Sequence, residues 1–98
     1  MSQKYPKKIR CPLCHARRLT HRYFEDDFCW IADCASCKGI PMAVLKRHTM
    51  QVSLAERERL VEALSKVADL TLGIDSYIID TKQKKIRDHL HYHARRAG

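Results

Sequence analysis

No stretch of this chain approaches the ~20 consecutive apolar residues that cross a bilayer, and its basic beginning lacks the apolar core of a secretion signal. No repeat, low-complexity tract or interdomain linker interrupts it. Acidic residues are missing from residues 1–22, which hold seven Lys or Arg, and residues 82–98 set six against Asp88 alone. These absences argue against a membrane span, a solenoid and a two-domain chain, and lead to the expectation of one cytoplasmic domain. Five cysteines without a leader point to reduced thiols that serve a metal rather than disulfides.

With 45% apolar and 31% charged residues among 98, the composition is that of an ordinary soluble globule with a modest core. The net charge of +8 gathers at the two ends around a slightly acidic middle. Basic ends attract a nucleotide, a nucleic acid or an acidic protein. The bland alternative is a solvated surface with a mobile basic arm over residues 1–10, ahead of a single domain over 11–98.

Two C-x-x-C knuckles, Cys11-Pro-Leu-Cys14 and Cys34-Ala-Ser-Cys37, lie nineteen residues apart. Thiolates are strong zinc ligands, and two intervening residues let both sulfurs of a knuckle meet one tetrahedral centre. Cys11, Cys14, Cys34 and Cys37 are thus the candidate metal ligands, with zinc as the expected cofactor. Cys11 to His15 also satisfies the C-x-x-C-H pattern of haem attachment, but the second knuckle accounts for the first without haem. Cys29 sits in an apolar run and reads as a small buried hydrophobe.

The elements follow from local pattern. Leu19–Phe24 and Phe28–Ala32 read as strands flanking a Glu25–Asp27 turn, and Ile40–Lys46 as a third with Pro41 near its start. Ser53-Leu54-Ala55-Glu56 is a capping box, opening a helix that runs to about Gly73 with Leu60, Val61, Leu64, Val67 and Ala68 on its apolar side. Ser76–Thr81 reads as a fourth strand, Lys82–Lys85 as a turn and His89–Arg95 as a last strand. Trp30 and Tyr92 belong to the core. The order predicts an α+β domain, an antiparallel sheet with one main helix.

His89-Leu90-His91-Tyr92-His93 is the second feature that carries chemistry. On a strand, alternate residues share a face, so the three imidazoles form a ladder spaced ~6–7 Å apart. Such a ladder can chelate metal, hold a phosphate, or present one nucleophile between two hydrogen-bonding partners.

Taken in order, these segments resemble the histidine-triad nucleotide-binding superfamily. The resemblance runs from about Tyr23 to Arg95. Tyr23 to Asp33 is similar to the family's acidic turn, apolar strand and aspartate. Pro41 to His48 resembles its apolar strand ending in Lys-Arg-His, a helix follows at Ser53-Leu54, and His89 to His93 matches H-x-H-x-H. The resemblance implies a dimeric α+β protein that hydrolyses or transfers nucleotidyl groups, with His91 attacking the α-phosphorus. It implies that His93 donates to a phosphate oxygen, that His89 orients the strand or leaving group, that His48 completes the polar wall, and that Asp33 contacts ribose. The family's glycine-containing loop before the triad is here Gln83 to Asp88, whose basic side chains would serve as phosphate ligands. Some members hold zinc through an N-terminal knuckle, the histidine after Lys-Arg and the first triad histidine, here Cys11, Cys14, His48 and His89. Register favours the four cysteines instead, because a hairpin at Glu25–Asp27 brings residues near 14 beside residues near 37, while His48 lies ~25 Å up the third strand. The competing function is a non-enzymatic zinc-ribbon module that binds nucleic acid or a protein.

Overall fold

Ser53 and Glu56 form the capping box that their identities demand. The Glu56 N–H donates to the Ser53 hydroxyl at 3.1 Å, and the Ser53 N–H donates to the Glu56 carboxylate at 2.9 Å. Two donors of the first turn are thereby satisfied, and helix α1 runs over Leu54–Thr71. Gly73, just beyond it, has φ of +99°, a conformation that strains any other L-residue.

The computed structural model describes residue 13 and residues 20–34, 39–82 and 89–97. Its strands are β1 Arg22–Glu25, β2 Cys29–Asp33, β3 Pro41–Leu45, β4 Tyr77–Asp80 and β5 His91–Arg96. They form one antiparallel sheet in the order β1-β2-β3-β5-β4, with α1 between β3 and β4 in the chain. The α+β architecture, with one long helix among the described residues, is therefore as expected. Pro41 is the first residue of β3, where its missing N–H is tolerated. The basic arm, Cys11, Cys14, Cys37 and the stretch 83–88 lie outside the described residues.

Strand alternation divides the sheet into two faces. Ile31, Ala43, Leu45, Tyr92 and Ala94 meet Leu60, Leu64 and Ala68 of α1, all of them buried. Burial of each leucine side chain contributes about 1.5–3 kcal/mol. Cys29 belongs to this layer. Burial first, and then the nearby Asp26 carboxylate, push its thiol up to about 12, so it stays protonated and inert as expected. The opposite face carries Leu13, Trp30, Ala32, Cys34, Met42 and Val44 as a second buried cluster. The Arg22 guanidinium lies 4.4 Å over the Trp30 ring.

The β1–β2 turn is centred one residue later than the sequence pattern implies, because Asp26 organises it. Its carboxylate accepts from the N–H groups of Phe28 at 2.8 Å and Cys29 at 2.9 Å. Partial burial works to raise this carboxyl, but the two backbone donors and Arg59 outweigh it and hold it below the ordinary carboxylate range. A depressed folded-state value means stability present above the unfolded pKa of about 3.9 and lost as pH falls through the folded one. Asp26→Asn is therefore expected to flatten part of the acid limb of the stability curve below about pH 4. Denaturant melts of both proteins from pH 2 to 7 check this, and identical acid limbs would refute it.

Candidate functional site

Lys46, Arg47 and His48 follow β3, and each is anchored to a different element. Lys46 Nζ pairs with Glu25 at 2.9 Å, and Arg47 Nη1 with Glu56 at 3.1 Å, which ties the segment to the first turn of α1. His48 reaches across to the residues before β5, where its Nδ1 lies 3.2 Å from Nδ1 of His89. Backbone bonds close the same junction: Leu45 N–H donates to the Leu90 carbonyl at 3.2 Å, and Leu90 N–H to the Thr49 carbonyl at 3.0 Å.

His89 differs from the expected ladder. Strand β5 begins only at His91, and the His89 ring is drawn instead between the Leu45 carbonyl, 2.6 Å from its Nε2, and His48. The physical reason is satisfaction. A ring with 0% exposure must find partners for both nitrogens, and the end of β3 supplies them.

His91 and His93 do share one face of β5, with ring centroids 5.5 Å apart at 74°. They stand opposite Val44 and Met42, on the face of Trp30 and Cys34. Nδ1 of His91 lies 2.8 Å from the carbonyl of His89. A carbonyl only accepts, so Nδ1 carries a proton, and the tautomer of the neutral ring has its lone pair on Nε2. Neither ring stands on an open strand: His91 is 5% and His93 8% exposed. This face of the sheet is packed rather than bare.

Asp33 is not brought to these histidines. It falls in the Cys29–Ile31–Asp33 alternation on the helix side, and its Oδ1 accepts from the Tyr23 hydroxyl at 2.8 Å. That bond, after burial, raises the Tyr23 phenol above its ordinary value. Beside His93 the structure places instead Asp80, its cross-strand partner, and Arg95, whose Nε donates to Asp80 Oδ2 at 2.7 Å. The sequence reading missed both. Arg95 was findable, since it continues the alternation of His91 and His93, but Asp80 depends on the β4–β5 register. A separate groove of about 360 Å³ lies between β1 and α1, lined by Phe24, Cys29, Arg59, Ala63, Val67 and Leu70, and contains none of the candidate residues.

Cys34 is buried at the start of the β2–β3 connection, and its N–H donates to the Ile40 carbonyl at 2.7 Å. Leu13, one of the two residues between Cys11 and Cys14 in the sequence, is buried in the same cluster. Among the described residues no three His, Cys, Asp or Glu side chains converge as a metal-binding set, and no helix is long and apolar enough to cross a membrane. The chain matches no known protein family, no characterised protein and no solved structure.

Proposed function

We propose that this is a zinc-binding, histidine-triad-like protein that binds a nucleotide and transfers or hydrolyses its phosphoryl linkage through His91. One observation carries the proposal: the His89 carbonyl holds Nδ1–H of His91 at 2.8 Å, so that in the neutral ring the nucleophilic lone pair is on Nε2. Nε2 attacks the α-phosphorus, the bond to the leaving group breaks with its electron pair, and a nucleotidyl-histidine results. Water then attacks phosphorus, the N–P bond breaks, and its electrons return to Nε2. In this scheme His93, beside His91, donates to a phosphate oxygen, and Arg95 shares its face. Asp33 has no part in this scheme, because its alternation turns it toward the helix.

Zinc fits the donor set as a cross-link of the fold. Cys11, Cys14, Cys34 and Cys37 offer four thiolates, and the burial of Leu13 with Cys34 supports the approach of the two knuckles. The 3.2 Å between the Nδ1 atoms of His48 and His89 also suits two ligands of one tetrahedral ion, which lie roughly 3.3 Å apart, so Cys11, Cys14, His48 and His89 are the competing set. His48 and His89 sit past the far end of β3 from Cys34, so one ion engages one set or the other.

The burial of His91 and His93 favours a second reading, a non-enzymatic zinc module whose basic ends bind nucleic acid or an acidic protein. Turnover of nucleoside phosphoramidates and dinucleoside polyphosphates by the wild-type protein and by His91→Asn separates the two.

A further inference from the structure

The sheet is five strands wide, so its outer strands lie about 19 Å apart at ~4.8 Å per step, and a helix only ~10 Å across cannot cover it. Leu60, Leu64 and Ala68 seat α1 against Ala43 and Leu45 of β3 and Tyr92 and Ala94 of β5. The β1 side of that face is left as the groove of about 360 Å³. Phe24, Ala63, Val67 and Leu70 give the groove an apolar lining, and Phe24 is 42% and Leu70 89% exposed. Four charged side chains, Asp26, Arg59, Glu62 and Lys66, complete it. An apolar cleft of this size with a few polar groups is the usual form of a small-ligand site.

The four charges are not equally committed. The Asp26 carboxylate takes three donors, the N–H groups of Phe28 at 2.8 Å and Cys29 at 2.9 Å and the Arg59 guanidinium at 3.3 Å. Arg59 has five donors, yet among the described residues it meets only Asp26 at 3.3 Å and Asp27 at 3.8 Å. Both contacts are longer than the ~2.7–2.9 Å of a good guanidinium–carboxylate bond. The guanidinium is still held in place, 4.3 Å from the centre of the Phe28 ring. Lys66 and Glu62 pair at 3.3 Å one helical turn apart, an exposed contact that contributes little and exchanges readily. Donor capacity therefore exceeds acceptor capacity in the groove. We infer that it binds a small amphiphilic monocarboxylate, with the hydrocarbon body along Phe24, Ala63, Val67 and Leu70 and the carboxylate on Arg59. At the ~30 Å³ that one water occupies in the liquid, the cavity of about 360 Å³ admits roughly a dozen non-hydrogen atoms. Asp26 and Asp27 beside the guanidinium disfavour a dianion such as a phosphate monoester, which selects a head with a single negative charge. This site is separate from His91 and independent of the reaction proposed there.

Decanoate matches that size and chemistry, and decanol, decylamine and decyl phosphate change only its head. Amide ¹⁵N–¹H spectra of the folded, metal-replete protein, titrated with each below its aggregation limit, test head and body separately. Decanoate should shift the amides of Phe24, Ala63, Val67 and Leu70 saturably, with roughly tenfold higher affinity than decanol, the low end for a hydrogen bond to a charged group. Decylamine and decyl phosphate should both bind less tightly than decanoate. Arg59→Gln should bring decanoate down to the level of decanol and leave decanol within about twofold of its wild-type affinity. Leu70→Ala, at an exposed helix position, should weaken decanoate and decanol alike by about threefold, and the spectra report that each variant is folded. Tighter binding of decylamine or decyl phosphate than of decanoate would overturn the carboxylate assignment. Equal affinity for decanoate and decanol, wild-type decanoate binding by Arg59→Gln, shifts confined to residues outside the groove, or no saturable shift with any of the four would overturn the site.

Discussion

Replacing Cys34 with serine is expected to take the bound zinc from about one ion per chain to near zero and to lower the melting temperature by more than about 10 °C. A structural zinc contributes an apparent ~10–16 kcal/mol to the folding of a small metal-dependent domain, whereas a whole domain is stable by only ~5–15 kcal/mol. Even a fraction of that contribution exceeds anything else a single side chain supplies in a 98-residue chain. Burying a serine hydroxyl in place of a thiol costs something on its own, so Cys29→Ser is the control. Cys29 is buried more deeply than Cys34, burial holds its thiol protonated, and its loss should leave zinc in place. His48→Ala should also retain the ion under the four-cysteine assignment. Full zinc in Cys34→Ser together with loss in His48→Ala would transfer the site to Cys11, Cys14, His48 and His89.

What could be read from the residues depended on how local its cause was. The helix start at Ser53 and its stop near Gly73 are decided within one turn by two side chains and one backbone conformation, and both are where the pattern put them. The division of residues between the faces of β2, β3 and β5 follows from alternation, and Trp30, Cys29 and Tyr92 are buried as expected. Three things were not legible. Alternation says that His91 and His93 share a face but not how exposed that face is, and both rings are buried on it. The diversion of His89 from the strand comes from Leu45 and His48, more than forty positions away in the chain. Asp33 matched a motif by position along the chain, yet its parity places it with Cys29 and Ile31, while Ala32 leads through Met42 to His93. Motif spacing and sheet register are separate facts, and a site needs both.

The His91→Asn variant is expected to lose roughly 10⁴-fold or more in turnover, equivalent to about 5–6 kcal/mol of transition-state stabilisation at 1.36 kcal/mol per decade. The choice of asparagine follows from the geometry. Its side-chain N–H lies close to the position of Nδ1–H, so it can keep the bond to the His89 carbonyl, now 2.8 Å long, while the nucleophilic Nε2 disappears. The buried site loses part of a ring, which costs about 1–3 kcal/mol of stability as a small cavity, and zinc content should not change. Folding and chemistry are thereby separated in one protein. Mass spectrometry under neutral or basic conditions, where a P–N bond survives, should find a nucleotidyl adduct on wild-type His91 and none in the variant. His93→Asn should slow the reaction less, because it removes one donor to a phosphate oxygen and leaves the nucleophile intact. If the folded, zinc-loaded wild type neither binds nucleotides nor forms the adduct, then His91 and His93 are buried polar residues of a packed face. The basic ends of the chain then carry the function, and binding to nucleic acid that weakens steeply as salt rises becomes the observation to seek.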